Sequence, residues 1–350
     1  MHRRIGVTVF VCAFLAIPAI AEAATKTVYA GGPAAWQSQI GKKYGAGVDN
    51  FLINTVTINA GDTVVWNGKA IASGFHTVDF PAKGGSDVQL LVPGPTVTGV
   101  NDFAGMPFWF DGKVPSIGFN PALGAASGGH IYNGSKRVDS GLPLGKPTDF
   151  KLKFTKPGVY KYFCDVHYGM VGEVVVLAKG KKVPTAAQDK ATLAKEEAAY
   201  VKGAKKLEKT KVAADNVSLG ASAAGGLEVF AMFPATQTVK VGTTVTFSMS
   251  AKTREVHTAA FGPQAYLMNL ANSFAGPAPD ANAVYPSDPP GTITLSQTSH
   301  GNGFANTGAL DRDSSTPLVP SQTIKFTQAG TYHFICLIHP FMHGTVVVTP

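Results

Sequence analysis

A chain of 350 residues with 45% hydrophobic content is long enough for two domains of ordinary size and apolar enough to fill two cores. The net charge of +8 is diffuse apart from one stretch, and no basic patch is interleaved with aromatics, so nothing in the composition points to nucleic acid. The 39 Gly and 23 Pro imply many turns between short strands.

At the N-terminus, Arg3 and Arg4 precede an apolar run from Ile5 to Ile20, and Ala21-Glu22-Ala23 has the small-x-small form of a cleavage site. The run falls below the ~18 residues that a membrane span needs. Residues 1–23 therefore read as a signal peptide, removed together with Cys12 and His2, and the mature chain as exported to a periplasm or cell exterior. The Arg pair alone would also fit twin-arginine export. No later stretch is apolar enough to span a membrane.

Residues 24–180 form a first half. Two strand-like runs lie between Phe51 and Trp66, and His76 follows a Gly-containing turn. An insertion over residues 81–150 is rich in Gly and Pro. It includes Met106-Pro107-Phe108-Trp109-Phe110 and the turn-rich segment from Gly128 to Ser135, and its aromatics favour a packed cover. The half closes with Cys164-Asp165-Val166-His167-Tyr168-Gly169-Met170 and the strand-like Gly172 to Val176.

Residues 181–216 change character, with nine Lys against five acidic residues, a net of +4. Leu193, Tyr200 and Leu207 recur every seven residues among good helix formers, which predicts one helix from about Ala186 to Ala214 with Gly203 as a weak spot. The reading is a solvated helical spacer with one narrow stripe against a domain. The alternative is a basic docking face for an acidic partner or membrane headgroups.

Residues 217–350 repeat the first pattern. Leu227 to Phe233 and Thr236 to Phe247 are strand-like, His257 follows, and a second insertion covers residues 262–322. Then comes Cys336-Leu337-Ile338-His339-Pro340-Phe341-Met342. Lys153-Phe154-Thr155 with Gly158 and Tyr160 parallels Lys325-Phe326-Thr327 with Gly330 and Tyr332. The chain reads as an internal duplication in which each half carries one His…Cys-x2-His-x2-Met set.

A thiolate, imidazoles and a weak axial thioether form the donor set of blue copper. Only Cys164 and Cys336 remain after the signal, one per motif. A disulfide between them would consume the best donor of both sets, whereas metal ligation explains both. Short strands, frequent turns and period-2 patterning argue for an all-β chain with two antiparallel sandwiches, which bring distant His and Cys segments side by side.

Both halves resemble cupredoxins, the small blue-copper proteins such as plastocyanin, pseudoazurin and amicyanin. The loop from Cys336 to Met342, with Gly344, is most similar to the amicyanin ligand loop. The resemblance implies two Greek-key β-sandwich domains joined by a helical linker. It implies one copper held by His76, Cys164, His167 and Met170, and a second held by His257, Cys336, His339 and Met342. It also implies that the ring edges of His167 and His339 lie at apolar surface patches, built from Tyr168 and Gly169 or from Pro340 and Phe341, where redox partner proteins dock. One departure is Thr77 and Thr258, where cupredoxins commonly have Asn.

The expected function is an exported single-electron carrier. Two alternatives are a two-domain copper oxidase or reductase with an additional copper site, and a copper storage or delivery protein. Copper nitrite reductases place a catalytic His before the blue-copper Cys, where this chain has Phe163 and Ile335. Their His-x-Val-Asp-x-His motif meets Pro81 at its last position, and no His-x-His or His-Cys-His occurs. Catalytic copper is therefore disfavoured. Met106, Met232, Met249 and Met268 are too scattered for a storage tract. Of the remaining His, His333 is expected to face solvent, His343 to sit on the rim, and His130 and His300 are candidates for a third metal site.

Overall fold

The computed structural model describes residues 23–98, 111–276, 279–316 and 318–350. Residues 1–22 of the stretch read as a signal peptide, and the aromatic run Met106–Phe110, lie outside the described residues. No described helix is long and apolar enough to cross a membrane.

The chain is all-β in its framework, built as two sandwiches. In the first, one sheet runs in the order Phe51–Leu52, Thr25–Ala30, Thr63–Trp66, Phe150–Phe154, Ile131–Tyr132. The facing sheet runs Val138–Asp139, Asp79–Phe80, Gly158–Phe163, Val171–Leu177, Thr55–Asn59. Alternation along Phe150–Phe154 buries Phe150, Leu152 and Phe154 and leaves Lys151 and Lys153 outside, the period-2 signature of a half-buried strand. Trp66, Phe80, Phe154 and Tyr162 fill the space between the sheets.

The second sandwich uses corresponding pairings. Asn216–Ala223 runs parallel to Thr244–Met249 as Thr25–Ala30 runs parallel to Thr63–Trp66. Thr236–Lys240 runs parallel to His343–Thr349 as Thr55–Asn59 does to Val171–Leu177. In both, a Gly follows the ligand loop for the same steric reason. A Cβ at Gly172 would stand 2.2 Å from the Tyr162 ring, and one at Gly344 would stand 2.4 Å from the Phe334 ring.

The halves are knitted together. Strand Ala46–Val48, from the first half, adds to the edge of the second half's six-stranded sheet by pairing with Leu227–Phe233, Val48 opposite Leu227. The chain leaves that strand under Gly226, whose φ of +74° and close approach to the Asp49 carbonyl admit no side chain.

The helix between the halves spans Ala186–Leu207, shorter than the sequence suggests. It starts at a capping box formed by Thr185 and Gln188. It ends where its apolar stripe ends: Leu193, Tyr200 and Leu207 pack on a core that combines Ile40, Val48 and Leu52 with Ala221, Leu227 and Val229. Gly203 is a contact point, since a Cβ there would meet Leu227 Cδ2 at 2.5 Å. The helix is a clamp across both halves.

The insertions are ordered where described. In the first, strands Leu91–Thr98 and Asp111–Phe119 pair as a ribbon. The second holds helix Gln264–Ser273, absent from the sequence reading, with Leu267, Leu270 and Ala271 buried in a satellite core under the second ligand loop.

Candidate metal centres

Each half brings its predicted donors to one point. In the first, Nδ1 of His76 and Nδ1 of His167 stand 3.0 Å apart, and Cys164 Sγ is 3.8 and 3.5 Å from them. In the second, Nδ1 of His257 and His339 are 3.1 Å apart, with Cys336 Sγ at 3.6 and 3.8 Å. Met170 and Met342 are buried in the cores beside their Cys. Both cysteines are free and buried.

The local backbone explains the convergence. In each loop the Cys N–H donates to the Met carbonyl at 3.0 Å, and the Met N–H donates back to the second His, at 3.0 Å in one loop and 2.8 Å in the other. Each loop thus closes on itself like a clasp. The distant His is attached from the other side: the Thr77 N–H donates to Cys164 Sγ, and the Thr258 N–H to Cys336 Sγ, both at 3.4 Å. The Thr hydroxyls tie the two segments, accepting from the N–H of Asp165 and of Leu337 at 2.7 Å. The insertions hold the His segments in turn, through Ser140 to Val78 and through Leu310 to His257.

The electrostatics suit a metal-bound thiolate at Cys336. Burial alone would raise the Cys336 thiol, but hydrogen bonding to His257 and His339 holds it well below the ordinary thiol range. Burial and the neighbouring His167 keep His76 well below the usual imidazole range. An N,N,S triad with a buried thioether in the same core is a donor set that fits copper.

The shells behind the two triads differ. Asp165, after Cys164, accepts from Thr77 Oγ1 at 2.8 Å and belongs to a buried group with Asp79, Asp139 and Arg137. At the matching position, Leu337 is buried among apolar side chains.

The ring edges of the second His of each loop do not form exposed patches, as the family resemblance implied. His167 is 5% exposed, and the His339 ring packs against Phe230 and Phe341. Both line one cavity of about 810 Å³ between the halves, together with His76, Asp49, Arg254 and Glu255. Nε2 of His167 lies 3.4 Å from Glu255 Oε1, and Nε2 of His339 lies 3.5 Å from Glu255 Oε2. Asp49 Oδ1 is 3.8 Å from the same His167 nitrogen. Burial, opposed by His167, pushes the Asp49 carboxyl up to about 7.

Sequence reasoning missed Asp49 and Glu255. The available signal was an asymmetry: Glu255 stands two residues before His257, where the first half has Gly74 before His76. His333 and His343 are exposed, as expected. His130 bonds to the Lys151 carbonyl and His300 to Asp288, and among the described residues neither joins a group that could hold a metal.

Residues 122–177 match the family of copper-binding proteins of the plastocyanin/azurin type, a span that holds the first ligand loop. Solved structures align over about two-fifths of the chain. Plastocyanin from Dryopteris crassirhizoma shares 23% identity over 38% of this chain and 99% of its own, with a TM-score of 0.22. Reduced auracyanin from Roseiflexus castenholzii shares 19% over 40% of this chain and 100% of its own, with a TM-score of 0.25. A Cu(I) amicyanin variant shares 18% over 40% and 87%, with a TM-score of 0.22. No curated protein sequence matches. Within the two β-sandwiches, the stretch that matches the plastocyanin/azurin copper-binding family model is therefore residues 122–177.

Proposed function

We propose that the protein is an exported electron carrier with two blue copper sites, one per half, that arose by internal duplication. The observation that carries this reading is the pair of buried triads, each with both Nδ1 atoms and one Sγ turned to a common point. His76, Cys164, His167 and Met170 would hold one copper, and His257, Cys336, His339 and Met342 the other. Copper supplies one-electron chemistry by alternating between Cu(I) and Cu(II). The chain's contribution is to hold donors in place whichever charge is present, since the ligand loops are closed by backbone bonds and buried in two sandwiches. The Thr77 and Thr258 N–H groups stabilise negative charge on sulfur, and the apolar cores pack behind each Cys.

Redox partner proteins would meet the molecule beside the ligand loops. Tyr168 and Phe341, 51% and 66% exposed, are large apolar side chains left at the surface there. The Phe341 ring lies 5.9 Å from that of His339, so a partner seated on it comes close to the second site.

Copper content with visible and EPR spectra of the oxidised mature protein tests the reading. Two coppers per chain, both with an intense thiolate band and narrow hyperfine splitting, support it. Cys164→Ser and Cys336→Ser should each remove one copper. If both leave the copper content unchanged, the ligand assignment is wrong.

A further inference from the structure

Each ligand loop turns one imidazole edge inward, and a single carboxylate receives both. Nδ1 of His167 and of His339 faces the thiol of its own set, at 3.5 and 3.8 Å. A metal held there would take Nδ1 and leave the ring proton on Nε2, which would then need an acceptor. Glu255 offers one oxygen to each, at 3.4 and 3.5 Å. Asp49 reaches only the His167 side. The ring of Phe230 touches His257 and His339, both of the second set.

No second carboxylate stands in the mirrored place. That place is Gly74, where an added Cβ would lie 2.2 Å from His76 Nε2. The bridge is also held rigidly. The Glu255 N–H donates to Thr253 Oγ1 at 3.1 Å, and the Arg254 N–H donates to Glu228 Oε1 at 2.9 Å. Glu228 is itself on the strand that pairs with Ala46–Val48 of the first half. The pairing that knits the sandwiches therefore also sets the spacing of the two rings.

We infer that Glu255 joins the two ligand sets into one two-centre unit, with His167, Glu255 and His339 as the internal path along which a single electron is shared. The inference rests on the two-site reading above. With copper bound in both sets, one electron would pass from the reduced set to the oxidised one. No bond between heavy atoms would form or break, and no proton would leave either ring. Glu255 touches no metal in this arrangement and is a positioning residue.

The test uses the full mature chain loaded with copper. A pulse of radiolytically generated reductant delivers less than one electron per molecule. Rapid-freeze EPR then follows its redistribution, with the two signals assigned from Cys164→Ser and Cys336→Ser. The expected result is a phase whose rate is independent of protein concentration and which both single-site variants lack. Glu255→Gln keeps the packing but offers only one acceptor oxygen. That variant should slow the phase by about tenfold or more while both blue bands persist.

A second measurement needs no variant. In the Cu(I)-loaded protein, nitrogen-detected NMR should show two ring Nε2–H signals protected from solvent. An unchanged rate in Glu255→Gln, no concentration-independent phase in the parent protein, or unprotected Nε2–H signals would each overturn the inference. So would a third metal equivalent that Glu255→Gln abolishes, because Glu255 would then be a ligand. Fewer than two blue coppers would defeat the two-site reading first, and metal analysis reports that separately.

Discussion

The Nε2 atoms of His167 and His339 face each other across the Glu255 carboxylate, one to each oxygen. A surface-exposed ring edge lets an isolated cupredoxin meet its partner. Here both edges line the cavity between the halves, so the two sites see one common charge. Burial pushes Glu255 up, but His167 above all, and then His339, hold it well below the usual carboxylate range. That charge favours the more positive metal state at both sites. Glu255→Gln should therefore raise both reduction potentials, each by about 1–2 kcal/mol, or roughly 40–90 mV for a one-electron couple. A spectroelectrochemical titration in which only one site moves would refute the sharing.

The two sites should differ from each other. Asp165 backs the first with a charged group, whereas Leu337 backs the second with apolar side chains. Even where Asp79 keeps its proton, Asp139 and Asp165, once ionised, outnumber the one Arg137, so negative charge lies behind Cys164. The first site is expected to have the lower potential, and Asp165→Asn should raise it while leaving the second in place. Two identical midpoints in the parent protein would contradict this.

The Thr ties carry a stability prediction. Thr258→Val keeps the shape but leaves the buried Leu337 N–H without its acceptor. A buried donor left unpaired costs about 1–3 kcal/mol. Chemical denaturation of the metal-free protein should show that loss, and copper should still bind because the backbone N–H to sulfur remains. A variant as stable as the parent would mean that the tie adds nothing.

Much of this was legible in the sequence. The sandwich class, and the order of the eight residues proposed as donors, follow from short motifs and strand periodicity, which are local properties. Contacts between the halves were not. Ala46–Val48 is three residues long, with no pattern to mark it as a strand of the other half's sheet. The helix was overextended to Ala214 because composition favours helix throughout. It stops at Leu207, the last residue with a buried partner, and the Thr210 hydroxyl then closes on the Leu207 carbonyl at 2.7 Å. Gly203 looked weak by propensity, whereas its cause is the closeness of Leu227, which only the packed structure reveals.

That contact can be tested directly. Gly203→Ala would gain helix propensity in an isolated peptide, by about 1 kcal/mol. In the folded chain the new methyl meets Leu227 in the core shared by both halves, and overpacking there costs about 1–3 kcal/mol. The expected net result is no gain or a loss in melting temperature. Gly203→Ala combined with Leu227→Ala should behave non-additively, because the second change makes room for the first. A clear stabilisation by Gly203→Ala alone would show that the helix does not clamp the halves.

The buried carboxyls behind the first site contribute to the pH dependence of the metal-free protein. Burial, with Asp165 adding to it and Arg137 opposing, pushes Asp79 up to about 9, and burial pushes Asp139 up to about 6. Both bind a proton more tightly when folded than when unfolded. Their contribution is complete below the ordinary carboxylate range, near 4, and is lost as pH rises through about 6 and then about 9. The melting temperature should fall between pH 5 and pH 9. Asp79→Asn preserves the shape of the protonated side chain but cannot ionise. It should match the parent near pH 5 and melt higher near pH 9, flattening the curve. Parallel curves for the two proteins would mean that Asp79 is ionised in the fold, held so by Arg137 despite the neighbouring carboxyls.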